Sequence, residues 1–336
     1  MRLHPSVNEI EPVQWQHHAA GQEVDIEARL LTNARWLETG QPSLLMIPGY
    51  GEGEWAAQQA LKYFTSIGKR ATVALVDTSQ TPASLEDVTT FAHDFAPQVV
   101  SQLQTRGVLP EKATVLGHSM GGGILSLGVQ EAPELFGSIG LLEPIGNDTA
   151  AQILIQPDQA KRERAFKRRF ARVVIGPYMH ANPNELLHAG LDISRQLAKD
   201  FRPFSHRFRD KIALTAGSDG MPAVIEHAAD GNAVAYVLGG KDPLVKPSMI
   251  LGSIYYHFQT GELSHMSVEQ AREALNNLAL VPTNEKHAYM GWRSGNRHVY
   301  EALRFLGIKE NLIVQQAVQN TNNGQDPQIE DNEAAS

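Results

Sequence analysis

The chain has no cysteine among its 336 residues. Disulfides, thiolate nucleophiles, cysteine-ligated zinc and iron–sulfur clusters are thereby excluded, and a reducing compartment suits the composition. Long apolar runs are missing too. No uninterrupted stretch approaches the roughly 18 residues that a membrane-spanning helix needs, so no integral membrane segment is expected. The first ten residues are poor in apolar side chains and carry Pro5, Asn8 and Glu9, which does not read as a secretory signal. A cytoplasmic location is expected. Basic residues are in deficit, 29 Lys and Arg against 37 Asp and Glu, for a formal net charge of −8. That balance gives no overall attraction to phosphate backbones, so no nucleic-acid partner is expected. What the chain does have is 42% hydrophobic residues, enough for one large core with a sizeable insertion.

Short apolar runs at residues 44–47, 72–76, 113–116, 138–142, 234–238 and 278–281 each end in a turn or polar stretch. Strands buried on both faces of a parallel sheet have this pattern. Helical patterns lie between them. Ser84 is placed to cap a helix carrying Leu85, Val88, Phe91, Phe95, Val99 and Leu103 at steps of three and four. Pro97 falls inside it, a position that kinks helices, and Gly107 and Pro110 end it. The last strong helix carries Val299, Leu303 and Leu306 and stops at Gly307. Alternating strands and helices predict an α/β fold, a mostly parallel sheet flanked by helices. Residues 24–37 read as antiparallel strands leading into a turn at 38–42. The alternation breaks over residues 147–230, where helical patterns at 158–174, 183–201 and 221–229 predict an inserted helical cap, with a separate domain as the alternative. The core then comprises residues 1–146 and 231–315. The polar tail, 316–336, cannot offset its ordering entropy and is expected to be disordered. No internal repeat is evident.

One stretch carries chemistry. From Ala113 to Gly123 the sequence reads ATVLGHSMGGG: a strand, a sharp turn at Ser119, then a helical run at 124–130. A serine on such a turn is exposed at the strand's carboxyl end with strained backbone angles. Gly117 and Gly121 flank it where side chains would collide as strand and helix cross. The helix N-terminus behind it favours a developing negative charge. The alternative, a glycine-rich phosphate-binding turn, lacks its usual spacings.

Here the chain resembles the α/β-hydrolase superfamily, from about Leu30 to Gly307, with the cap least matched. A second matching element runs LLMIPGYG from Leu44 to Gly51, a strand and a tight turn. By this resemblance the backbone N–H groups of Tyr50 and Met120 form the oxyanion hole, with Pro48 where relatives often carry His. A serine hydroxyl needs a base to take its proton and a carboxylate to orient that base. The family order is Ser, acid, His. The strand-turn segment VAYVLGGKDPLV, from Val234, looks like the acid loop and nominates Asp242. The rival acid is Glu143, which ends the strand after the nucleophile helix. Among 13 histidines, His287 follows the last strand and precedes the last helix, as the family's base does. His298 is next in rank. His257 and His265 are expected in the cap or on the surface, and His118 beside the nucleophile, lining the pocket or packing nearby.

The resemblance thus implies a serine hydrolase of a small-molecule carboxylic ester, acting through an acyl-enzyme on Ser119 with no metal or organic cofactor. The same residues would serve a thioesterase, a carbon–carbon bond hydrolase or an acyltransferase. A low-turnover ligand-binding protein and a cofactorless oxygenase are readings of other classes. The basic run Lys161, Arg162, Arg164, Lys167, Arg168, Arg169 and Arg172 has helical spacing. It reads first as a solvated helix face and second as a contact for an anionic substrate, phospholipid surface or acidic partner. Tyr255, Tyr256 and Trp292 are core or acyl-pocket candidates. Oligomeric state is left open.

Overall fold

The computed structural model describes residues 6–19, 22–33, 43–50, 52–76, 85–162, 164–165, 168–169, 219–260, 262–285, 287 and 295–307. Its strands are β1 (Asn8–Ala19), β2 (Gln22–Thr32), β3 (Ser43–Ile47), β4 (Arg70–Leu75), β5 (Ala113–His118), β6 (Phe136–Leu142), β7 (Val234–Gly239) and β8 (Leu278–Thr283). They form one eight-stranded sheet in the order β1-β2-β4-β3-β5-β6-β7-β8. The β1–β2 and β2–β4 pairs are antiparallel. The pairs β3–β4, β3–β5, β5–β6, β6–β7 and β7–β8 are parallel. The six apolar runs read as buried strands fall on β3 to β8, with Val76 alone lying just past the end of β4.

Over β2 to β8 both faces of the sheet are covered, and each of these strands feeds both cores by its period of two. In β7, Val234, Tyr236 and Leu238 join one apolar cluster, while Ala235 and Val237 join the other. The first cluster takes in α2 (Leu85–Thr105), α3 (Met120–Glu131) and α5 (Met221–Ala229). The second takes in α1 (Glu54–Ser66) and the helix over residues 295–307. Pro97 lies within α2, which runs on to Thr105. A methyl group at Gly128 of α3 would come within 2.7 Å of Ala96 and 2.9 Å of Pro97, so the proline sits where the two helices approach closely.

Two departures from the sequence reading are informative. β1 was not anticipated. After a register shift between Ile10 and Val13 its residues alternate, with Val13, Trp15 and His17 buried and Gln14, Gln16 and His18 exposed. Trp15 packs on Phe91 and Phe95 of α2, with ring centroids 6.2 and 5.9 Å away. The helix Met221–Ala229, expected in the cap, belongs to the core. Met221, Val224, Ile225 and Ala228 are buried in the first cluster, against α3 and the helix Val268–Asn277. Helical periodicity states that a face is apolar and not which layer covers it. The other cap patterns lie mostly or wholly outside the described residues, as do Trp292 and the tail 316–336. Among the described residues no helix is long and apolar enough to cross a membrane.

Candidate active site

β5 ends at His118 and α3 begins at Met120, so Ser119 alone makes the turn, with φ 51° and ψ −116°. A non-glycine residue held there stores on the order of 1–3 kcal/mol of strain. Neighbouring strands hold it in place. The Ser119 N–H donates to the Leu142 carbonyl at 2.8 Å, and the Ser119 carbonyl accepts from Ile145 N–H and Gly122 N–H, each at 3.1 Å. The flanking glycines are required sterically. A Cβ at Gly117 would lie 2.6 Å from the Gly121 carbonyl oxygen, and one at Gly121 would run into the carbonyl oxygens of Ile47 and Pro48. Gly121→Ala is therefore expected to destabilise the fold by about 3 kcal/mol or more, measured by urea unfolding. Gly307→Ala, with open space around it, is the control and should change stability by no more than about 0.5 kcal/mol.

Two later loops reach the turn. Asp242 follows β7 in a tight turn; its Oδ1 accepts from Leu244 N–H at 2.6 Å. Its Oδ2 lies 2.7 Å from His287 Nδ1. The other ring nitrogen, Nε2, is 3.0 Å from Ser119 Oγ. All three residues are buried. Asp242 thus bonds its own turn through one oxygen and His287 through the other. With Nδ1–H donating to the carboxylate, Nε2 turns its lone pair to the serine hydroxyl. Burial works against the His287 imidazolium, but Asp242 and Glu143 outweigh it, and the His287 pKa is raised above the ordinary 6.5.

The turn after β3 lies against the same point. A Cβ at Gly49 would be 3.0 Å from both Ser119 Cβ and His118 Nδ1. Tyr50 follows Gly49, and Met120 opens α3 beside the serine. Glu143, the rival acid, is fully buried at φ 50°, with Oε2 3.6 Å from His287 Nδ1. Asp242 is the carboxylate at hydrogen-bond distance.

The other histidines weighed as candidates have their shortest polar contacts elsewhere. His298 Nε2 is 2.7 Å from Thr283 Oγ1. His257 is buried, with Nε2 3.1 Å from Asp219 Oδ2, and His265 is exposed beside Glu226 at 3.2 Å. His118 Nδ1 lies 2.8 Å from Glu52 Oε2, which also accepts Gly49 N–H at 2.5 Å. Glu52 was not singled out from sequence; a contact spanning 66 positions leaves no local signature.

His118, Glu143 and His287 present donor atoms within 4.8 Å of one another, a group that could hold a metal ion. However, His287 Nδ1, the ring nitrogen nearer Glu143, already engages Asp242.

A further carboxylate lies close by. Asp148, fully buried ahead of α4 (Thr149–Ile155), is pushed up to about 6 by burial, although it accepts from Gln152 Nε2 at 2.7 Å. Its folded pKa therefore exceeds the unfolded value of 3.8. The cost of ionising it is absent below that value, grows as pH rises toward 6 and is complete above it. Linkage makes the full cost about 3 kcal/mol. Asp148→Asn is expected to stabilise the fold by that order at pH 8 and by almost nothing at pH 4, measured by urea unfolding at both.

Residues 44–278 match the alpha/beta hydrolase family. Among curated sequences none matches the chain. Solved structures with a similar fold include a serine hydrolase from the polyaromatic-hydrocarbon-degrading bacterium Cycloclasticus zankles. That likeness has a TM-score of 0.51 and 14% identity over 90% of this chain and 99% of the other. A structure from work on carboxylesterases of the thaumarchaeon Nitrososphaera gargenis gives 0.51 and 14%, over 88% and 99%. A bacterial membrane phospholipase A gives 0.52 and 15%, over 89% and 87%.

Proposed function

The chain belongs to the alpha/beta hydrolase family, and from that premise we propose that it is a serine hydrolase cleaving a carboxylic ester through an acyl-enzyme on Ser119. The observation that carries this reading is the unbroken line Ser119 Oγ, His287 Nε2, His287 Nδ1, Asp242 Oδ2, with gaps of 3.0 and 2.7 Å, ending on a glycine-flanked turn.

His287 removes the Ser119 proton as Oγ attacks the ester carbon, and Asp242 holds the ring in the required tautomer and stabilises the imidazolium. The Tyr50 and Met120 N–H groups receive the oxyanion, aided by the N-terminus of α3. His287 then protonates the departing alcohol. Water, deprotonated by the same ring, attacks the acyl carbon; the carboxylic acid leaves and the proton returns to Ser119. No step requires a metal or an organic cofactor.

A fluorophosphonate probe tests it. One equivalent should attach at Ser119, located by peptide mass, and a panel of chromogenic esters should turn over. Thioester turnover well above ester turnover would move the substrate class. A folded protein that takes up no probe would end the reading in favour of a binding protein.

A further inference from the structure

Behind the serine lies a second set of ionisable groups that the reaction as written does not use. The Glu143 carboxylate, at the end of β6, has no solvent exposure. Its Oε2 lies 3.6 Å from His287 Nδ1, 3.7 Å from His118 Nε2 and 3.8 Å from His298 Nδ1. These three imidazoles come from different elements: the loop after β8, the end of β5 and the helix over residues 295–307. Glu52, after β3, closes the far side of His118 at 2.8 Å.

The charge states follow from which atoms face each other. Both ring nitrogens of His118 point at carboxylate oxygens, Nδ1 at Glu52 and Nε2 at Glu143. A neutral ring has one N–H and would turn a lone pair on one of them. Doubly protonated, it hydrogen-bonds Glu52 at 2.8 Å and turns its second N–H to Glu143 as an ion pair at 3.7 Å. Burial opposes that state, but Glu52 and Glu143 overcome it and hold the His118 pKa at about 10. His298 is different. Its Nε2 lies 2.7 Å from Thr283 Oγ1, its Nδ1 is 3.8 Å from Glu143, and burial lowers its pKa so that it stays neutral. The Glu143 pKa is lowered: burial opposes its ionisation, and His287 and His118 outweigh it.

We propose that Glu52, His118 and Glu143 form a charged carboxylate–imidazolium–carboxylate chain beneath the site. Glu143 in this chain is a positioning residue that works with Asp242 on the Nδ1 edge of His287. Its negative charge favours the His287 imidazolium, while the His118 cation, with its ring centroid 5.6 Å from that of His287, opposes it. The pair brackets the pH at which His287 becomes a free base. The chain also ties the turn after β3, through Gly49 N–H on Glu52, to the residue before the nucleophile. Facing His287 are Asp242, Glu143, His118 and His298; facing Glu143 are His118, His287 and His298; facing His118 are Glu52, Glu143, His287 and His298.

The inference rests on the serine-hydrolase reading, and the test separates the two. The acid limb of kcat/KM reports the free-enzyme pKa of the base. Glu143→Gln should move that limb down by about 1–2 pH units, and His118→Gln should move it up by about half a unit to one unit. Opposite signs are the signature, because a merely structural loss would lower activity without moving the two limbs apart. Limbs that stay put, or move the same way, overturn the proposal. Should His118→Gln fail to fold, imidazole nitrogen NMR of the unaltered protein decides. His118 should carry two protons at pH 8, and a single proton there overturns the proposal whether or not any ester is turned over. A stoichiometric divalent metal in the purified protein, removable by chelator with a change in the His118 signals, also overturns it.

Discussion

Ser119→Ala is expected to lower kcat for an ester by about 10⁶-fold while KM changes by no more than a few-fold. The hydroxyl contributes the reacting atom and little of the ground-state contact, so its loss falls on the chemical step. The backbone carries over. Alanine at φ 51° meets much the same steric strain as serine, and the hydrogen bonds that hold the turn come from the main chain. Circular dichroism and the unfolding midpoint should therefore match the parent. What activity remains should be that of substrate binding and oxyanion donors acting on water, about 10³–10⁴ over the uncatalysed rate. Fluorophosphonate uptake should vanish with it. A variant that kept a tenth of parental turnover would mean that another group attacks the carbonyl.

The part of this molecule that was legible in its sequence is the part encoded locally. The runs at β3 to β8 are short, apolar and closed by turns, and doubly buried strands cannot be written otherwise. The Ser119 turn was legible because Gly117 and Gly121 are demanded by the crossing of β5 and α3, within five residues of each other. β1 was hidden because half of its side chains are polar and its alternation begins after an irregularity near Pro12. It shows as a strand once Trp15 has Phe91 and Phe95 to pack against. The family resemblance places the acid in a turn after a later strand, and Asp242 has that turn around it. The histidine is harder. His287 is separated from Asp242 by 45 positions and from Ser119 by 168, so reach, not spacing, brings it to both. Glu52 and Glu143 lie further outside what a sequence states. Each matters through what stands opposite it, and the partners come from separate loops. The helix Met221–Ala229 makes the same point for packing, since its apolar face would look alike under a cap or over the sheet.

Asp242→Asn is expected to lower kcat by about 10⁴-fold with the fold intact, and the reason lies in how the turn is built. Oδ1 of Asp242 accepts from Leu244 N–H at 2.6 Å. An asparagine must keep an acceptor there, so its carbonyl oxygen stays on Leu244 and its NH₂ faces His287 Nδ1. Two donors cannot face each other. The ring therefore gives up its Nδ1 proton and carries it on Nε2, pointing at Ser119 Oγ, where a lone pair is needed. The nucleophile then has no base, although every atom remains close to its place. Glu143 Oε2 stands 3.6 Å from the same ring nitrogen and is the one competitor this substitution exposes. If it can accept the Nδ1 proton, Asp242→Asn will keep more than about a tenth of parental kcat, and Glu143→Gln will show the larger loss. The 2.7 Å contact of Asp242 against 3.6 Å for Glu143 predicts the opposite ranking. Steady-state rates of both variants on one ester, with fluorophosphonate labelling rates alongside, decide which carboxylate orients the base.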